Sequence, residues 1–123
     1  MRFNNPYLDT QTKIELLQKW ILLHSYIYYV LNRNVVSDKV YDDNCRQLYD
    51  LMGQNTKAKK RSKWYRVFKG YHYSTGFDLI SRLEEIMPGA IHEISALAYM
   101  VIELDEKFKI YAQELFERGD ADA

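Results

Sequence analysis

The chain has 123 residues, enough for one domain and too few for a two-domain enzyme with a large cofactor cradle. It is 47% hydrophobic and 28% charged, a globular composition. Seventeen Lys and Arg balance seventeen Asp and Glu, and a net charge of zero argues, taken as a whole, against a strongly electrostatic partner. The balance hides a division, because residues 51–77 carry seven bases and no acid, which leaves the remainder at minus seven. Two prolines, five glycines and one cysteine exclude collagen-like and disulfide-built architectures. The three histidines, His24, His72 and His92, show no zinc spacing. The N-terminal residues lack an apolar signal core, and the longest apolar run falls far short of the roughly 18 residues of a membrane span. A protein of the cytoplasm is therefore expected. Eleven tyrosines, three of them Tyr26, Tyr28 and Tyr29, suit a partly buried site or an interface.

The pattern predicts a mainly α fold, a compact helical domain of about four helices. The first helix is predicted over residues 10–31. Thr12 and Glu15 fit a capping box, and Leu17, Trp20, His24, Ile27 and Leu31 share one face. His24 on that face reads as a core histidine. Asn32, Arg33 and Asn34 break the pattern. Ser37 followed by Asp38 marks the start of a second helix, with Tyr41, Cys45, Leu48 and Met52 on one face and Gly53 as its C-terminal punctuation. Cys45 reads as a small buried hydrophobe. Residues 54–62 are predicted to be a basic loop. Residues 64–73, WYRVFKGYHY, are predicted to form a short extended segment or hairpin with a turn at Lys69-Gly70. A short helix follows over 77–87, ended by Pro88-Gly89, and then a long helix over 90–117. In the last helix Ile94, Leu97, Val101, Leu104, Phe108, Tyr111 and Leu115 alternate at three and four residues, a heptad seam expected to pack across the other helices. Residues 119–123 are expected to fray.

Chemistry concentrates in residues 24–42. Asp38, Tyr41 and Asp42 are neighbours on a helix at i, i+3 and i+4, beside a helix N-terminus and one tight connection from Tyr28 and Tyr29. Phenol rings stack on a planar cation, carboxylates pair with it, and backbone donors hold a phosphate. Spacing alone also fits core tyrosines beside an ordinary acidic helix start. No nucleophile with its base, metal cluster or glycine-rich phosphate loop stands out.

This stretch resembles the N-terminal Ia domain of NAD-dependent DNA ligases, whose signature is roughly Tyr-x-Tyr-Tyr-x-x-Asp-x-Pro-x-Ile-x-Asp-x-x-Tyr-Asp. Tyr26, Tyr28 and Tyr29 match its aromatic cluster, Val36 its aliphatic position, and Asp38, Tyr41 and Asp42 its end. Asn32 replaces the first Asp, Asn34 replaces the Pro, and Tyr29 stands where some members carry His. The resemblance covers residues 10–52, about a third of the chain. It implies an Ia-like helical pair over 1–53; the basic aromatic segment 54–73 and the helices of 74–118, expected in the same domain, lie outside the resemblance. It further implies that Tyr28, Tyr29, Asp38, Tyr41 and Asp42 contact the nicotinamide mononucleotide half of NAD. The lysine signature of the nucleotidyltransferase domain, Lys-x-Asp-Gly, does not occur, so the implied role is a recognition module beside a separate nucleotidyltransferase subunit, as in a split ligase of bacteriophage type. The alternative is a non-enzymatic phage protein that inhibits a host or defence nuclease complex, in the manner of an anti-CRISPR.

The basic aromatic segment offers a second candidate site: Lys57, Lys59, Lys60, Arg61, Lys63, Trp64, Tyr65 and Arg66 combine charges that neutralise phosphates with rings that stack bases. A solvated basic loop before a core-packing strand is the preferred reading of the same pattern. Two other uses are contact with the acids of the last helix, Glu103, Asp105, Glu106 and Glu114, and docking to an acidic protein.

Overall fold

The computed structural model describes residues 8–74 and 76–119. Among them are six α-helices and no strand: α1 (Thr10–Ser25), α2 (Asp38–Gln54), α3 (Thr56–Arg61), α4 (Tyr65–Phe68), α5 (Leu79–Ile86) and α6 (Ala90–Gly119). A π-helical turn, Tyr26–Val30, continues α1, and a 3₁₀ turn, Gly76–Asp78, precedes α5. The fold is mainly α, as the periodicity predicts. Thr75, the N-terminal seven residues and the last four, including most of the tail expected to fray, lie outside the described residues.

The cap of α1 differs from the expected capping box. Asp9 takes the N-cap position and its carboxylate accepts from the Thr12 amide at 2.7 Å, which holds the Asp9 pKa below its usual value. Glu15 is drawn away, accepting instead from the Lys63 amide at 2.7 Å. Beyond its first turn α1 is the central helix, packed by α2, α3, α5 and α6. Leu17, Ile21 and Leu22 lose all exposure, each burial being worth about 1.5–3 kcal/mol. With Cys45 and Leu48 of α2, Trp64, Val67 and Phe68, Leu79 and Leu83 of α5, and Ile94 of α6, they form one continuous core. Helix α2 starts where expected, with the Ser37 hydroxyl accepting from the Val40 amide at 3.2 Å. It runs through Gly53, and Asn55 closes it by donating from Nδ2 to the Leu51 carbonyl at 2.9 Å.

The segment between α2 and α5 departs most from expectation. Residues 56–61 form a helix rather than a loop, although none of them is buried. Its end is tied to α1 through a buried polar contact. Gln18 donates from Nε2 to Ser62 Oγ at 3.0 Å, and Ser62 donates to the Lys59 carbonyl at 2.6 Å. The expected extended segment of 64–73 is a helical turn, α4, followed by the expected turn at Lys69-Gly70. Gly70 adopts φ +76°, and the Tyr71 amide returns to the Phe68 carbonyl at 2.9 Å. Burial of Trp64, Val67 and Phe68 against α1 and α5 overrides the strand preference of these residue types.

Helix α6 packs on the body by its first half only. Ile94 and Ala98 are fully buried and Tyr26 donates to Ser95 Oγ at 3.2 Å. From Glu106 onward every side chain described is exposed. The seam expected to pack across the other helices does so no further than Leu97 and Val101. Leu104, Phe108, Tyr111 and Leu115 stay in the open.

Candidate functional site: a cleft where the first two helices meet

The end of α1 builds the site. At Tyr26 the helix widens into the π turn, closed by the Leu31 amide on the Tyr26 carbonyl at 3.1 Å. The wider turn keeps Ile27 in the core and leaves Tyr28 and Tyr29 about half exposed, with ring centroids 4.8 Å apart and nearly perpendicular. Asn32 then takes a left-handed conformation, φ +55°, which asparagine tolerates better than most residues. That residue turns the chain back so that Val35 and Val36 lead straight into the first turn of α2.

A cleft of about 280 Å³ lies in this corner. Tyr28, Tyr29, Asp38, Tyr41 and Asp42, the five residues picked out in the sequence, all line it, joined by His24, Ile27, Arg33 and residues 34–36. The volume is close to the lower end of the roughly 300–1,000 Å³ range of small-molecule sites. Tyr41 is fixed at the back. Its phenol oxygen lies 2.8 Å from Ser25 Oγ, a fully buried hydroxyl, and its ring sits 6.2 Å from that of Trp20. Burial drives the Tyr41 pKa well above the usual tyrosine value, so the phenol keeps its proton. Tyr29 is raised as well, by partial burial first and then by the charges of Tyr28, Cys45 and Asp42. His24, in ring contact with Trp20 at 4.3 Å, is pushed down to about 4 by burial and is neutral at pH 7. It is the core histidine expected and also a wall of the cleft. Asp38 and Asp42 stand exposed on the open side. Arg33 forms an ion pair with Glu106 of α6.

The arrangement can hold a small polar molecule with one cationic, planar end. Two carboxylates and the phenol rings line the cleft together with the Arg33 guanidinium. Arg33 was missed in the sequence because it lies in the connection, between two breakers, with no periodicity to place it.

The basic segment is separate from this cleft and contributes nothing to its lining. Lys57, Lys60, Arg61, Lys63 and Arg66 are exposed, while Lys59 and Tyr65 are half-buried. Trp64 must be removed from the candidate stacking residues. Its ring is 1% exposed, within the core and beneath the Lys63 ammonium at 4.8 Å. Of the acids expected to meet this segment, Glu106 pairs instead with Arg33, Glu103 with Lys107 and Asp105 with Lys109. The segment reaches α6 nearer its start, through Lys63 and Glu93 at 4.0 Å. Cys45 is a fully buried free thiol, raised in pKa by burial.

No family model and no solved structure matches the chain. Among curated proteins it is similar to the DNA ligase of Buchnera aphidicola subsp. Acyrthosiphon pisum, 46% identical over 47 residues. It is also similar to the DNA ligase of Bacteroides fragilis, 40% identical over 52 residues. These stretches are 38% and 42% of this chain but only 7% and 8% of the ligases. The chain thus contains a DNA ligase-like region that spans a small fraction of the length of the ligases it matches.

Proposed function

We propose that the cleft recognises the nicotinamide mononucleotide half of NAD, and that the chain is the recognition module of a split NAD-dependent ligase. In that arrangement a separate subunit carries the nucleotidyltransferase lysine, since no Lys-x-Asp-Gly occurs in these 123 residues. The observation that carries the proposal is convergence. Five residues chosen from the sequence, on two helices and the turn that ends one of them, line the same cleft. The similarity to DNA ligases supports the same reading.

The residues fit the ligand by charge and shape. Tyr28 and Tyr29 present ring surface to a pyridinium, and Asp38 and Asp42 offer carboxylates to its positive charge and to ribose hydroxyls. Arg33 supplies a guanidinium for the phosphate once it is shared with or released by Glu106. The Tyr41 hydroxyl is held in place at the back of the cleft by its hydrogen bond with Ser25 Oγ.

Thermal unfolding with added NAD, nicotinamide mononucleotide or AMP tests the proposal. The first two are expected to raise the midpoint and AMP alone to leave it unchanged. At a ligand concentration a hundredfold above Kd the stabilisation is about 2.7 kcal/mol. Asp42→Ala, at an exposed position, is expected to abolish the shift without altering the fold. Folded wild-type protein that responds to neither nucleotide overturns the proposal.

A further inference from the structure

We propose that the outer half of α6 pairs antiparallel with the same helix of a second copy of this chain. Leu104 is 58% exposed, Phe108 68%, Tyr111 54% and Leu115 44%, and no described residue covers them. They continue the three-and-four spacing of Leu97 and Val101, so they form one strip, set about a third of a turn away from the face by which Ile94, Ala98 and Glu106 meet the body. Ile110 and Phe116 lie off the strip and remain exposed.

The occupant follows from the strip's own symmetry and from its flanking charges. When two copies run antiparallel with Phe108 opposite Tyr111 of the second copy, Leu104 falls opposite Leu115, and both pairs repeat by the two-fold axis. Lys107, one position before Phe108, then faces Glu114 of the second copy, again twice. Asp105 on the other flank faces Ala112, so no like charges meet. A parallel pair in register sets Lys107 beside Ala112 and Glu114 beside Gly119, with no charge matched. Lys107 is held in the single chain by Glu103, at 3.0 Å, an exposed pair that leaves donors free. The overlap is short, between two and three heptads, so the pair is expected to dissociate on dilution. This inference does not depend on the nucleotide reading, because it uses no residue of the cleft.

Sedimentation of the full chain over a wide concentration range tests it. The expected result is a mass that rises from one chain to two. Phe108→Glu is expected to stay at one chain at every concentration, with unchanged helical circular dichroism, since the side chain touches no other described element. Lys107→Glu is expected to weaken pairing at least tenfold, and Lys107→Glu with Glu114→Lys to restore it. Orientation is read by cross-linking. The double variant Leu104→Cys with Leu115→Cys is expected to oxidise to a linked dimer and Leu104→Cys alone to remain unlinked. A chain monomeric up to its solubility limit overturns the proposal, as does a dimer that Phe108→Glu leaves intact. A Leu104→Cys variant that links by itself overturns the antiparallel register. Capture of a nucleotidyltransferase subunit by the strip, with no self-association, assigns the strip to that subunit and overturns the proposal as well.

Discussion

Helix α1 and the outer half of α6 carry the same kind of apolar repeat and meet opposite fates. In α1 the stripe of Leu17, Ile21 and His24 is closed on several sides by other helices. In α6 the stripe of Leu104, Phe108 and Leu115 has no described neighbour. Spacing therefore specifies a face, and says nothing about whether the face is covered within the chain. The difference also separates the two proposed roles of the molecule. The cleft sits on the buried, hydrogen-bonded end of α1, where geometry is fixed, and the proposed pairing strip sits where the helix leaves the body.

The comparison is sharpened most by truncating one aromatic in each region. Trp64→Ala is expected to cost about 3–5 kcal/mol of stability, because the ring is fully enclosed and leaves a cavity. Phe108→Ala, measured by chemical denaturation at concentrations below pairing, is expected to change stability by less than about 0.5 kcal/mol. Comparable losses at the two positions would break the distinction.

A smaller effect comes from His24. Its folded pKa of about 4 lies below the usual imidazole value of 6.5, so the folded state resists protonation. Its contribution is complete above pH 6.5 and is lost as the pH falls from 6.5 to about 4, for a total of about 3 kcal/mol. Denaturation midpoints across that window, compared between wild type and His24→Phe, read this directly. The variant keeps an aromatic ring against Trp20 and is expected to remove most of the slope. An unchanged slope would place the titrating group elsewhere.

A smaller loss than at His24 is expected at Ser25. Ser25→Ala removes the hydroxyl that holds Tyr41 and is expected to cost about 1 kcal/mol of stability. If Tyr41 works as a positioned donor, the variant also weakens the nucleotide response, whereas a purely structural contact would leave that response intact in the folded variant.

Much of this was legible in the sequence for local reasons. The boundaries of α2, α5 and α6 follow from Ser37, from Pro88-Gly89 and from uninterrupted apolar spacing. The five cleft residues were legible because they lie within fifteen positions of one another, across one tight connection. What was not legible depends on distant contacts. The cap at Asp9 displaced the expected capping box because Glu15 is engaged by Lys63, far along the chain. Residues 56–61 lack an apolar face and so gave no helical signal, yet Gln18 and Ser62 secure their end. The aromatic and β-branched residues of 64–68 suggest a strand, and burial bends them into a helical turn. The π turn escapes detection because its spacing differs from an α-helix by one residue.

The contact between Trp20 and His24 gives the molecule a built-in optical gauge. The chain has two tryptophans, and they sit in different places: Trp20 behind the cleft, 4.3 Å from an imidazole and 6.2 Å from the Tyr41 ring, and Trp64 sealed in the core beneath Lys63. Emission from Trp20 will follow what happens at the cleft, while emission from Trp64 will follow unfolding. With Trp64→Phe and Trp20→Phe as separate single-colour versions, occupancy and integrity can be watched in one cuvette without a label.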